Sequence, residues 1–235
     1  MCGRVALYDD PDTIARLVQA GVSQDALDLW RPHWNMGPQS LILGVSERDG
    51  ERILDIYKWG LVPYWAKDPS TIKGTFNARA ETVGTKPMFR KAFANQRILV
   101  PVDAFYEWQT LAPKLKQPYA FTRADGEPVV FAGLRERWKD AEGHELRTAT
   151  IITTEAGPDM PIHNRQPVVL EPAKWDQWLD SKRHDVVALQ DLLVPTKAGT
   201  LVHHPVGRDV GNVKHDRPDL LEAIELEDDP GPNSL

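Results

Sequence analysis

The chain reads as an α+β protein, a single domain of mainly antiparallel strands in a twisted, barrel-like sheet core with flanking short helices. Three observations carry that expectation. Short apolar or alternating runs recur along the chain and are separated by Gly, Asp and Pro turns, the pattern of strands. Helical spacing of apolar residues occurs only in brief stretches. No internal repeat or break in composition divides the 235 residues, and one mixed domain of this size is common.

Taken in order, residues 12–20 place Ile14, Leu17 and Val18 at helical spacing behind Asp9 or Asp12 as a cap, and residues 23–29 suggest a second short turn. Residues 30–38, with Trp30, Trp34, Pro32 and Pro38, read as irregular. Residues 41–45 and 52–59 alternate and pair across Arg48-Asp49-Gly50. A loop rich in Trp and Pro follows at 60–73. Residues 77–83 enter a helix and 88–95 continue a helical pattern. Strands are expected at 97–102, 104–108, 119–123, 129–137 and 147–154, with turns at Asp125-Gly126 and Glu142-Gly143. A loop from Met160 leads into an apolar strand ending at Val169-Leu170. Short helices at 172–179 and 186–192 precede a strand at 202–206. Glu225, Glu227, Asp228 and Asp229, running into Pro230-Gly231-Pro232, predict an acidic, disordered tail over 225–235 and leave a domain of residues 1–224.

Composition narrows the function. With 41% hydrophobic and 26% charged residues, the chain is an ordinary globular one. Its net charge of −6 argues against a general polyanion binder but leaves room for a local basic groove. One cysteine among 235 residues excludes an intramolecular disulfide and a cysteine-based zinc cluster. No metal or cofactor is expected. His203 and His204, adjacent on a strand, point to opposite faces and cannot easily share an ion, which disfavours a metal-dependent nuclease. No basic-then-apolar leader and no membrane-length apolar run is present. The expectation is a cytoplasmic, nucleoid-associated protein that makes no membrane contact.

That single cysteine is Cys2. Removal of Met1 would leave its α-amine beside its thiol, a 1,2-aminothiol that no internal cysteine offers. The two groups ordinarily titrate near ~8 and ~8.5, so both are partly available as nucleophiles near neutral pH. Such a pair captures aldehydes: the amine forms a Schiff base and the thiol closes a thiazolidine ring. If Met1 stays, the amine is an amide and the ring cannot form. The bland alternative is that a cysteine at position 2 is chance.

Three further polar residues stand out. Glu107 lies between Phe105-Tyr106 and Trp108; buried, its pKa would rise toward values useful in acid–base chemistry, while simple alternation would turn it to solvent. His163 sits in Pro161-Ile162-His163-Asn164-Arg165 and could equally be a loop histidine bonded to backbone. Asn77, ahead of Ala78-Arg79-Ala80-Glu81, is equally a candidate helix N-cap.

Together, Met1-Cys2-Gly3-Arg4, Trp59-Gly60-Leu61-Val62-Pro63, Phe76-Asn77-Ala78-Arg79-Ala80-Glu81-Thr82, Val100-Pro101 through Glu107-Trp108, Phe131-Ala132-Gly133-Leu134 and Ile162-His163-Asn164-Arg165 resemble the SRAP (SOS-response-associated peptidase) family over residues 1–224. The resemblance implies a sensor and shield of abasic sites in single-stranded DNA, in which Cys2 forms a thiazolidine with the ring-opened sugar aldehyde. It implies that Asn77 orients Cys2, that Glu107 assists proton transfers and that His163 handles the sugar hydroxyl and reversal. Arg4 and Arg79 match family positions that contact phosphates. Trp59, Trp65, Pro38 and Met88 could line a strand channel, with Lys67, Lys73, Lys86, Arg90 and Lys91 adding charge. Autocatalytic loss of Met1 and a monomeric state are further expectations.

The chain also departs from the family. Gly37 stands where an alanine commonly precedes Pro38, and is expected to loosen that loop. Asn164 and Gln166 replace the family's Asp and Met after the histidine. Gly211-Asn212-Val213-Lys214-His215-Asp216 departs from an Asn-rich pattern, and no site residue is carried over from it. Two other readings compete: an N-terminal-nucleophile cysteine hydrolase or peptidase, and a non-covalent single-stranded DNA-binding module.

Overall fold

Strand pairing, more than helix packing, sets the frame of this molecule. The structure, a computed structural model, describes residues 2–182 and 185–226. In chain order the elements are β1 (Val5–Leu7), α1 (Pro11–Val18), β2 (Gly21–Val22), α2 (Gln24–Leu29), β3 (His33–Met36), β4 (Leu41–Arg48), β5 (Glu51–Trp59), β6 (Asn77–Arg79), α3 (Ala80–Val83), α4 (Arg90–Asn95), β7 (Arg97–Val102), β8 (Ala104–Ala112), β9 (Leu115–Arg123), β10 (Val129–Lys139), β11 (Glu145–Glu155), β12 (Arg165–Pro167), α5 (Trp175–Leu179), α6 (Val186–Gln190) and β13 (Leu201–Pro205).

The antiparallel pairs β5–β4, β4–β7, β7–β10 and β10–β11 run into one another, and a parallel pairing of β11 with β5 closes them into a five-stranded barrel. By register, Tyr57, Ile98, Val100, Phe131 and Ile151 turn to one face of this ring, and all are buried. Gly133 shares that face, and a Cβ built on it would lie 2.7 Å from Val100 Cγ2 and 3.0 Å from the Thr150 carbonyl. Because a backbone atom is one of the obstacles, relaxation is costly. Gly133→Ala is therefore expected to destabilise the fold by about 1–3 kcal/mol, read as a lower urea midpoint; an unchanged midpoint would show that β10 can shift.

A second, wholly antiparallel sheet runs β13-β9-β8-β1-β3. Its β1–β8 pairing sets Val5 opposite Phe105, and the Tyr106 N–H donates to the Arg4 carbonyl at 3.0 Å. The residues just before β1 are thereby held beside the middle of β8. On the barrel, β5 leaves β11 at Trp59, and β6 takes its place with Asn77 opposite Ile151. Further along, β12 pairs with the end of β11, Arg165 opposite Glu155. Three short strands thus deliver residues 2–4, 77–79 and 163–165 to one end of the barrel.

The expected fold class holds, with local corrections. Asn77 does not cap a helix: it begins β6, and α3 starts only at Ala80 with no side-chain cap. The passage at 30–38 contains β3, because Asp216 accepts the Trp34 and Asn35 N–H groups at 2.6 and 3.1 Å and His33 Nδ1 lies 2.5 Å from the same carboxylate. β8 and β9 extend past 108 and before 119 into one long hairpin. The strand expected up to Leu170 is formed at Arg165–Pro167 instead, and Val169 keeps an isolated bridge to Phe131. Most of the acidic tail, from Glu227 onward, lies outside the described residues, as does Met1. Among the described residues no helix is long and apolar enough to cross a membrane.

Candidate active site

Cys2 is completely buried. The Asn77 side chain reaches it from β6, Nδ2 donating to the Cys2 carbonyl at 2.6 Å, while Asn77 Oδ1 is buried with no partner among the described residues. A buried amide oxygen left open is costly. Burial pushes the Cys2 thiol far above its ordinary value, the Glu107 carboxylate adds to the rise, and the Arg4 backbone N–H opposes it. In this setting the thiol is protonated at neutral pH and needs a base to become a strong nucleophile.

Glu107 is the carboxyl whose charge acts on that thiol. It is 3% exposed, so alternation turns it inward and not to solvent. Burial raises its carboxyl above the ordinary range, and the charge of His163 is among the influences that oppose the rise. A carboxyl raised in this way can hold and return a proton nearer neutral pH. His163, half-buried, accepts the Arg165 N–H on Nδ1 at 3.0 Å, which leaves the proton of the neutral ring on Nε2. The same Nδ1 lies 3.1 Å from the Arg165 carbonyl.

Arg165 itself forks onto Glu81 with bonds of 2.9 and 3.0 Å and reaches the Thr153 carbonyl at 2.7 Å. Because Glu81 opens α3 just after β6, this bidentate pair ties the strand of Asn77 to the strand beside His163. Gln166, fully buried, accepts the Gly157 N–H at 2.7 Å and donates to Thr196 Oγ1 at 3.2 Å, fixing the base of the loop that carries His163.

Arg4 is partly committed. Its Nη1 donates to Asn35 Oδ1 at 2.9 Å and to the Val210 carbonyl at 3.0 Å, and Nε is buried without a partner among the described residues. Asn35 in turn donates to the Asn212 and His215 carbonyls at 3.0 and 2.7 Å. Asn35, Asp216 and the 210–215 segment are thus structural parts of the site that sequence reasoning passed over, although Asn35 belongs to the very segment where Gly37 was noticed. Gly37 is buried, and a Cβ there would meet Val213 Cγ1 at 3.2 Å, so its backbone packs close to the 210–215 segment.

The remaining expected residues divide. Arg79 and Pro38 are exposed, and Trp65 is half-exposed at 50%. Beside Trp65, Tyr64 lies under the Lys91 ammonium, 3.6 Å from the ring centroid. Met88 packs against the main core and offers only part of its surface. Trp59 does not belong in a strand channel: it is 0% exposed and its indole donates to the Phe76 carbonyl at 2.8 Å, because its register opposite Ala149 turns it inward. His203 stacks on Phe121, and His204 bonds the Leu221 carbonyl. The metal-like grouping among the described residues, Asp140, Glu142 and His144, lies on the β10–β11 turn, where Asp140 already bonds the His144 ring and N–H.

The SOS response associated peptidase (SRAP) family model matches residues 1–213, and the chain belongs to that family. It is 37% identical over 225 residues to the abasic site processing protein YoqW of Bacillus subtilis, a match spanning 95% of this chain and 100% of that one. It is 32% identical over 235 residues to the abasic site processing protein YedK of Escherichia coli, with 95% and 100% covered. A solved structure from Bordetella bronchiseptica superposes with a TM-score of 0.74 at 27% identity over 88% of this chain and 100% of that one. One from Bacteroides thetaiotaomicron gives 0.84 at 22% identity over 95% and 100%, a likeness of fold alone.

Proposed function

We propose that this protein senses abasic sites in single-stranded DNA and shields them covalently through Cys2 after loss of Met1. The observation that supports this most is the Asn77 bond to the Cys2 carbonyl, since it fixes the residue bearing both nucleophiles next to a buried carboxyl. The names of the bacterial relatives, abasic site processing proteins, point the same way.

The amine of Cys2 adds to the C1′ aldehyde of the opened sugar, and the carbinolamine loses water to give an imine. The thiol then adds to the imine carbon, forming the C–S bond as its proton passes to nitrogen. Aldehyde and aminothiol give thiazolidine plus one water. Glu107 relays the protons, first to the departing hydroxyl and then from the thiol. His163, set by Arg165, serves the sugar hydroxyl and the reverse reaction. The 1,2-placement of amine and thiol on Cys2 puts both nucleophiles within reach of one carbon, and burial of the residue excludes competing water. The same groups support hydrolytic removal of Met1, with the Cys2 thiol as nucleophile.

DNA runs past exposed Arg79, with Arg4 Nη2, Trp65, Pro38 and the open part of Met88 along its path. Arg79→Ala should weaken binding to any single-stranded sequence and reduce the slope of log affinity against log salt by about 1. A loss of affinity with an unchanged salt slope would remove Arg79 from the phosphate path. A monomeric state and a cytoplasmic, nucleoid-associated location belong to the same reading.

Intact-protein mass after incubation with an abasic single-stranded oligonucleotide tests the proposal. The expected species are a chain lacking methionine and an adduct heavier by the oligonucleotide minus one water. A chain beginning at Cys2 that forms no adduct overturns it.

A further inference from the structure

Far from Cys2, the opposite end of the barrel carries a charge arrangement that nothing in the abasic-site chemistry uses. The register puts Ser46, Arg48, Asp55, Tyr57, Arg135, Arg137 and Arg147 on one face, next to the β4–β5 and β10–β11 turns. Arg137 stands opposite Arg147, six residues along β11 from Thr153, which faces Arg79. At ~3.3 Å per residue the two ends are about 20 Å apart.

Three of the carboxylates here are already engaged, and the fourth, Glu51, stands exposed opposite Arg48. Asp55 takes Arg147 at 2.5 Å, the Ser23 hydroxyl at 2.8 Å and the Ile56 N–H at 2.8 Å. Asp25 takes the other arm of Arg147. Glu145 is shared by Arg137 at 3.1 Å and Lys139 at 3.7 Å. Among the described residues neither Arg135 nor Arg48 has an ion pair, and Arg135 Nε is buried without any hydrogen-bond partner. Burial is the main influence lowering the Arg135 guanidinium, with Arg48 and Arg137 pressing the same way against Tyr57 and Asp55. A guanidinium that cannot lose its proton and has no ion pair in such a place is destabilising. A tetrahedral oxyanion would relieve it by accepting from Nε and an Nη together, a geometry guanidinium forks match well.

We propose that the hairpin end of the barrel binds an oxyanion of the phosphate class, gripped by Arg135 and enclosed by Arg48 and Arg137. Two sources share this chemistry, a free phosphate and a phosphodiester of bound nucleic acid. The site stands whether or not Cys2 crosslinks DNA.

Thermal melting of the full chain in inorganic phosphate, against chloride at matched ionic strength and pH, tests it. The wild-type midpoint should rise saturably with phosphate. In Arg135→Met the apparent affinity for phosphate should fall about tenfold or more, and in Arg48→Ala and Arg137→Ala by less. Should Arg135→Met fail to fold, the two exposed variants carry the test together with the line width of the phosphate phosphorus resonance. A parallel arm measures binding of an oligothymidine without abasic sites. Variants that lose oligothymidine affinity alone assign the occupant to a phosphodiester, and those that lose the phosphate response alone assign a free oxyanion. Wild-type and variant proteins that respond alike in both arms overturn the proposal.

Discussion

A Cys2→Ser protein will still bind abasic single-stranded DNA and will release it on denaturation. Self-cleavage through the thiol is lost, but a methionine before a small residue such as serine is also a substrate for cellular aminopeptidase, so the α-amine is freed and an imine can form. The hydroxyl is a far weaker nucleophile than sulfur and is not expected to close the ring, so the adduct should remain a hydrolysable imine. Reductive trapping with borohydride should therefore recover a covalent species from the variant, whereas without borohydride the denaturation-stable adduct should fall to background. The substitution places a hydroxyl where Cys2 is 0% exposed, a cost of about 1–3 kcal/mol for an oxygen without a partner, too little to unfold a domain of ordinary stability. Affinity measured before denaturation should stay near that of the wild type. A serine protein whose adduct survives denaturation as well as the wild type's would mean that the thiol is not the ring-closing group.

The barrel is legible because its strands obey a local rule. Residues 97–102 and 129–137 are apolar or alternate and are bounded by turn residues, and both form strands close to where alternation puts them. What stays hidden depends on distant partners. Asn77 carries a local signal for a helix cap, yet the group it serves is a carbonyl 75 residues away. The Trp34 and Asn35 amides are held by Asp216, 182 and 181 residues distant, so no window of sequence shows that residues 33–36 are a strand. Trp59 and Trp65 look alike in an aromatic-rich stretch. Only the pairing of β5 with β11 decides that the first is core and the second is open to a ligand. The site residues are visible for a different reason: a buried glutamate, a loop histidine and a terminal cysteine are each poor choices for packing, and family resemblance supplied the register in which they meet. The arginines at the far barrel end gave no such signal, since a charge on a strand ordinarily faces water.

Glu107→Gln should make the protein more stable at neutral pH and much slower at crosslinking. The carboxyl is 3% exposed, and burial raises its folded pKa above the ordinary 4.5. The folded state therefore binds the proton more tightly than the unfolded state does. Stability associated with this group is fully present below pH 4.5 and is lost as the pH rises through the higher folded value. Above that value the wild type carries a charged group in a poorly hydrated place, whereas glutamine carries none and keeps the shape. At pH 7 the variant is expected to melt higher, by an amount of the order of 1 kcal/mol or about 2–4 °C for a chain of this size. The gap between the two proteins should close as the pH drops below the window. Crosslinking should slow by about 10²-fold or more, the usual worth of a positioned acid–base group, with affinity for abasic DNA unchanged. These two effects have one cause, a carboxyl kept where it is costly because its proton is needed there. If the variant crosslinks at the wild-type rate, Glu107 is not the proton relay. If it is less stable than the wild type across pH 4–8, pairing outweighs burial at this carboxyl and the sign of its shift is the reverse.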